Sequence, residues 1–204
     1  IRPVIVGEFN AILKIAESIS WSQDNFEIIN ANSDEEAAAK AVSLARGGKV
    51  GALMKGDIHT DVFMSAIVNR DTGIRDGKRL CHAFYMTVPD SNKSLIISDA
   101  AVNITPDMTT KQAIVENTVA LAHALGNNRP KVAVLSATED VNPAMPSSLE
   151  AAQLTQWAAD NVKDADVCGP LAMDNAISPK AAELKNITNP VAGNADILVM
   201  PNIE

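Results

Sequence analysis

Asp166-Val-Cys-Gly-Pro-Leu-Ala-Met-Asp-Asn-Ala-Ile-Ser178 decides how this chain is read. An apolar dipeptide runs into Gly169-Pro170, which should stop a strand ladder because proline has no amide hydrogen to donate. Asp174 and Asn175 then interrupt an apolar run just before a helix signal at Ser178-Pro179. Polar side chains are thus placed where a strand ends and a helix begins, the edge of an α/β fold at which ligands bind. The plainer alternative is a strand-to-helix loop with a capping aspartate.

Upstream, the same alternation begins with a βα unit. Arg2 to Val6 is a short apolar strand closed by Gly7, and Asn10 to Ser18 has helical spacing. Phe26 to Asn30 is a second strand. Ser33 and Glu36 form a capping box for a helix that runs to Arg46 and ends at Gly47-Gly48. Val50 to Met54 reads as a strand leading into Lys55-Gly-Asp-Ile-His-Thr60, with Thr60 able to cap the helix carrying Val62, Phe63, Ala66 and Ile67. Gly56 permits a tight backbone there, and Asp57, His59 and Thr60 bring acid, imidazole and hydroxyl to one place. The alternative is a capped turn with solvated polar groups. Residues 69 to 79 gather Arg70, Arg75, Lys78 and Arg79 between two halves of the chain, a solvated face or a set of forks for phosphate oxygens.

The second half reads as a mixed sheet. Leu80 to Val88 and Ser94 to Ser98 are strands joined by Pro89-Asp-Ser-Asn-Lys93, short enough to make them antiparallel neighbours. Asp99 and Asn103 are the polar groups of the loop that follows, and Thr109 or Thr110 starts a long helix stopped by Gly126. Lys131 to Ser136 is a near-continuous apolar run, as for a strand covered on both faces. After a proline-marked loop, Ser147-Ser-Leu-Glu150 is a capping box for the next helix, and Asp196 to Met200 is a last strand. Alternating strands and helices make the chain α/β.

Composition narrows the function. Of 204 residues, 17 are basic and 25 acidic, a net charge of −8, with an isoelectric point near 4.9. Nucleic acid and anionic membranes call for a basic face, so neither is an expected partner. A mean hydropathy of +0.03 and no apolar run near the roughly 20 residues of a membrane span describe a globular protein. The start, Ile1-Arg2-Pro3-Val4, reads as a strand and not as a secretion signal. Cys81 and Cys168 stand far apart without a CxxC spacing, which suggests buried thiols in a cytoplasmic protein. The three histidines have no metal-ligand spacing, and no metal is expected.

Gly169-Pro-Leu-Ala-Met-Asp-Asn-Ala176 followed by Pro190-Val-Ala-Gly-Asn-Ala-Asp-Ile-Leu-Val-Met-Pro-Asn-Ile-Glu204 resembles the phosphate acetyl/butyryltransferase family, the butyryl branch more than the acetyl one. Lys55-Gly-Asp-Ile-His-Thr60, Asp71-Thr-Gly-Ile-Arg75, Ile97-Ser-Asp-Ala-Ala-Val-Asn103 and Val141-Asn-Pro-Ala-Met-Pro-Ser147 agree in order. The resemblance implies two α/β/α lobes with a cleft between them, similar to the isocitrate/isopropylmalate dehydrogenase-like fold. It divides the chain into residues 1–76, an incomplete first lobe, and 77–204, a second lobe with a mixed sheet.

It implies an acyl exchange between coenzyme A and inorganic phosphate in a cytoplasmic homodimer, with acyl-CoA as substrate and no metal or other cofactor. The candidate cleft residues, chosen by their loop positions, are Gly56, Asp57, His59 and Thr60 in the first lobe, Arg75 and Arg79 at the junction, and Asp174, Asn175, Asn202 and Glu204 in the second. The family's closing segment, with its serine, arginine and aspartate, has no counterpart here, so no catalytic residue is assigned, and the chain is expected to be a fragment of a longer protein. The helix after His59 also lacks the arginine of the acetyl branch. The competing readings are a non-catalytic binding homologue for coenzyme A or acyl phosphate, and a metal- and NAD-dependent decarboxylating dehydrogenase of similar fold.

Overall fold

The computed structural model describes residues 2–87 and 93–204. Two compact units, Ile1–Lys78 and Arg79–Glu204, make up the chain. In the first, β1 (Val4–Gly7) and β2 (Glu27–Asn30) pair in parallel, as the βα unit between them requires. The intervening α1 (Phe9–Ser18) is capped by Glu8, whose carboxylate accepts the amides of Asn10 and Ala11 at 3.0 and 2.6 Å. Helix α2 (Asp34–Arg46) starts on Ser33, whose hydroxyl accepts the Glu36 amide at 3.2 Å. Glu36 answers one residue further out than an ideal box, accepting the Asn32 amide at 2.8 Å. Gly48, at φ +66°, then lets the Lys49 amide turn back onto the Leu44 carbonyl at 2.9 Å.

Two expectations fail in this unit. Val50 to Met54 is not a strand: no neighbouring strand among the described residues offers it a ladder, and Met54 is 97% exposed. An apolar run forms a strand only where a partner accepts its backbone groups. Thr60 does not cap α3 (Thr60–Val68) but is its first residue, and His59 holds the cap position without a side-chain bond.

The second unit holds a five-stranded sheet ordered β3-β4-β7-β5-β6, from β3 (Ala83–Thr87), β4 (Ser94–Ser98), β5 (Lys131–Leu135), β6 (Asp166–Leu171) and β7 (Ile197–Val199). β3 runs antiparallel to β4 and the others are parallel, which makes the sheet mixed. Part of the connection expected between β3 and β4, residues 89–92, and Val88 lie outside the described residues. Period-2 alternation sorts the two faces. Val132, Val134, Ile197 and Val199 pack with Ile114, Val115 and Val119 of α4 (Met108–Ala124) and with Ala151 and Leu154 of α5 (Pro146–Asn161). Ala133, Leu135, Leu171 and Leu198 pack on the opposite face with Ala176 of α6 (Met173–Ile177), Ala182 of α7 (Pro179–Leu184) and Val191.

Several helix starts differ here from the expected ones. α4 is capped by Asp107, whose carboxylate accepts the Thr110 amide at 2.8 Å, and not by Thr109 or Thr110. α5 begins at Pro146, a residue whose missing amide costs nothing in a first turn. Its expected capping box is dismantled: the Ser147 hydroxyl lies 2.9 Å from that of Ser136, Ser148 accepts the Asn142 amide at 2.9 Å, and Glu150 pairs with the buried Lys111. Gly169-Pro170 does not end β6. The ladder shifts register between Ala133 and Leu135, then resumes at the Leu135–Leu171 pair, because one missing donor is absorbed by an irregularity and not by termination.

Candidate functional site

The loops that matter in the second unit leave the carboxyl ends of its parallel strands. β5 is followed by α5 on one face, whereas its neighbour β6 is followed by α6 and α7 on the other. The two connections therefore part at adjacent strand ends, the topology at which open α/β sheets form a ligand crevice.

Asp174 and Asn175 stand at this crevice, in the short helix α6 and not in a loop. Asn175 is completely buried. Its backbone carbonyl accepts the Gly193 amide at 2.7 Å, and its Nδ2 donates to Glu139 Oε2 at 3.2 Å, while Oδ1 has no partner among the described residues. Glu139, from the loop after β5, also accepts Lys185 Nζ at 3.0 Å, and that ammonium lies 3.9 Å from Asp174 Oδ2. Lys185 holds the Glu139 carboxyl below its ordinary range, and the same hydrogen bond raises the pKa of Lys185. One ammonium between two carboxylates leaves this group net negative.

A second group forms where β4 and β7 end. Asp99, only 3% exposed, accepts the amides of Ala101 and Val102 on Oδ1 at 2.9 Å each. Its Oδ2 accepts the His82 amide at 3.2 Å and Asn103 Nδ2 at 2.5 Å. Burial pushes the Asp99 pKa up, but these four donors together outweigh it and hold the carboxyl below the ordinary aspartate value. Its two oxygens are thus turned inward on its own loop and on the segment that enters β3. Arg79 Nε donates to Asn103 Oδ1 at 3.2 Å, which ties that arginine to the same edge. Asn202 and Glu204 follow β7: Asn202 Oδ1 accepts the Glu204 amide at 3.0 Å, and the Ile203 amide reaches the Ile104 carbonyl at 3.0 Å. The carboxyl edge of this sheet therefore carries Arg79, Asp174, Asn175, Asn202 and Glu204.

In the first unit, Gly56, Asp57, His59 and Thr60 lie on the segment entering α3, and all four are exposed. Lys55 Nζ donates to the carbonyls of Gly56 and Ile58 at 3.1 and 2.6 Å, and the Ile58 amide turns back to Gly56 O at 3.0 Å. Among the described residues no hydrogen bond joins the side chains of Asp57, His59 and Thr60. A Cβ at Gly56 would meet open space, so no close approach demands glycine there. Arg75 is exposed in the segment after α3.

Glu139 and Lys185 escaped sequence reading. They lie 46 residues apart, and neither sits in a pattern that sets a surface charge apart from any other. Among the described residues no three His, Cys, Asp or Glu side chains come together as a metal site, and no helix is long and apolar enough to cross a membrane.

The chain is similar to known proteins in sequence and in fold. The profile of the family described as phosphate acetyl/butaryl transferase matches residues 19–204. The chain is 46% identical to the phosphate acetyltransferase of Rickettsia prowazekii (strain Madrid E), over all of its own length and 59% of that protein. It is 41% identical to the phosphate butyryltransferase of Clostridium acetobutylicum, covering 98% of itself and 67% of that protein. Among solved structures, a branched-chain phosphotransacylase from Enterococcus faecalis V583 superposes with a TM-score of 0.82 at 30% identity, over 100% of this chain and 80% of that one. The six motif segments, the mixed α/β sheet and these likenesses agree, and the chain belongs to the phosphate acetyl/butyryl transferase family.

Proposed function

We propose that the protein to which this chain belongs is an acyltransferase that exchanges a short-chain acyl group between coenzyme A and inorganic phosphate. The observation that carries this is the place of the family's segments in the fold. Ile97–Asn103, Val141–Ser147, Gly169–Ala176 and the end of the Pro190–Glu204 segment all fall at the carboxyl ends of the parallel strands of one mixed sheet. In the reaction a phosphate oxygen attacks the thioester carbonyl, an oxyanion forms, and the carbon–sulfur bond breaks to release coenzyme A as a thiolate. A thiol of pKa about 8.5 leaves without prior protonation, so the protein has mainly to align two anions and stabilise the oxyanion.

In this proposal the units are the two lobes of an isocitrate/isopropylmalate dehydrogenase-like fold. Gly56, Asp57, His59 and Thr60 line the cleft from one lobe, Asp174, Asn175, Asn202 and Glu204 from the other, and Arg75 and Arg79 meet phosphate groups with their planar forks. The working protein is a cytoplasmic homodimer that needs no cofactor beyond its thioester substrate. Relatives bearing the acetyl and the butyryl name match at 46% and 41% identity, so both acyl groups belong in the test. Family membership weighs against the dehydrogenase reading.

The test is thiol release by the full-length protein from acetyl-CoA and from butyryl-CoA, with and without inorganic phosphate. Phosphate-dependent release from at least one is expected; release from neither sinks the proposal and leaves a binding role.

A further inference from the structure

Residues 137–145, which leave β5 and carry most of the Val141–Ser147 motif, form a largely exposed loop. Its second half is tied to α5, because the Asn142 amide and carbonyl both meet Ser148 Oγ, at 2.9 and 3.1 Å. Its first half has one internal bond, Asp140 N to Thr138 Oγ1 at 3.2 Å. Among the described residues, Glu139 is the one side chain of that half with a hydrogen bond to another element.

Glu139 makes two such bonds on the same oxygen, to Asn175 Nδ2 and Lys185 Nζ. Asn175 is a fixed donor: it is fully buried, its backbone is held by Gly193, and among the described residues its carboxamide has no other partner. Lys185 is the adjustable member, at the C-terminal cap of α7 with a side chain 36% exposed.

We infer that Lys185 is a positioning residue for the proposed exchange, acting through Glu139 to hold the loop after β5 at the crevice where β5 and β6 part. This rests on reading that crevice as part of the substrate site. Magnitude separates the role from a stability device. An ion pair this open to solvent adds little to global stability, yet with the Asn175 bond it is one of two side-chain ties, among the described residues, from the loop's first half to another element. Lys185 faces three carboxylates, Glu139 at 3.0 Å, Asp174 at 3.9 Å and, through its field, Asp140, so removing its charge leaves like charges facing one another beside the loop.

The experiment uses the full-length protein and the variants K185M and K185R. With no substrate present, cleavage within 137–145 by a broad-specificity protease such as subtilisin is mapped by mass and timed. K185M should be cut about fivefold faster there while its thermal midpoint stays within about 1 °C of the parent, since local opening precedes global unfolding. K185R, which keeps charge and reach, should restore the slow cleavage. In the thiol-release assay K185M should raise KM for acyl-CoA severalfold with kcat within twofold, the mark of lost binding and not of lost transition-state contact. Unchanged cleavage in K185M, or faster cleavage only alongside a lowered midpoint, overturns the inference. If the parent protein shows no phosphate-dependent thiol release, the proposed function fails, and the cleavage arm still decides whether Lys185 holds the loop.

Discussion

Replacing Asp99 by asparagine tests how the carboxyl edge is held together. The parent carboxylate accepts four hydrogen bonds, two on each oxygen. Asparagine is nearly isosteric. Placed with its oxygen toward Ala101 and Val102, it keeps two acceptor contacts, but its amino group then faces the His82 amide and Asn103 Nδ2, two donors. Each charge-assisted bond contributes roughly 1.5–3 kcal/mol, and a buried donor left without an acceptor adds to the loss. We expect D99N to destabilise the second unit by about 3–5 kcal/mol, read as a shift in urea midpoint at unchanged slope.

Because the Asp99 pKa is lowered in the folded state, its contribution is fully present above the unfolded value of about 3.9. It is lost as pH falls through the lower folded value. The gap between parent and D99N should therefore be widest near neutrality and narrow below about pH 4. A D99N protein within 1 kcal/mol of the parent at pH 7, or a gap that widens on acidification, would refute this account of the loop.

Other perturbations test separate parts of the structure. At Gly193, φ is +73° and an added Cβ would lie 2.5 Å from the Pro179 Cα, so G193A should cost more than about 2 kcal/mol by denaturant unfolding, from backbone strain and overlap together. The two helix starts of the first unit should respond oppositely. S33A removes a formed cap and costs about 1 kcal/mol, whereas T60A removes no cap bond and stays within about 0.5 kcal/mol. Lys111 is 4% exposed at its side chain and pairs with Glu150, which is 41% exposed. Stranding the buried ammonium by E150A should cost about 2 kcal/mol and exceed the loss in K111M, where the carboxylate left behind is still hydrated. Equal losses would mean that the pair contributes only through packing.

Elements whose evidence is local and repeated were legible in the amino-acid sequence. The Lys131–Leu135 strand showed as an apolar run, α2 as a box of Ser33 and Glu36 before a helical pattern, and its end as a glycine pair. Each reflects backbone chemistry within a few residues. The family was legible for a related reason, since its six segments stand in order along the chain. The mixed α/β character of the second unit also followed from the order of strands and helices.

Tertiary structure decided everything that depended on a partner distant in sequence. Val50–Met54 carried a strand-like pattern and found no strand to pair with. Ser147, Ser148 and Glu150 matched a capping box, yet Ser136, Asn142 and Lys111 claimed their side chains. Gly169-Pro170 looked like a stop, and β5 carried the ladder past it. Asp174 and Asn175 could be placed at a strand end from their neighbours alone. That Asn175 would be buried against Glu139, with Lys185 closing the group, depended on α6 and α7 packing on the opposite face of the sheet from α5. A sequence states which groups need partners; only the packed chain brings distant candidates within hydrogen-bonding distance, and the competition among them is settled there.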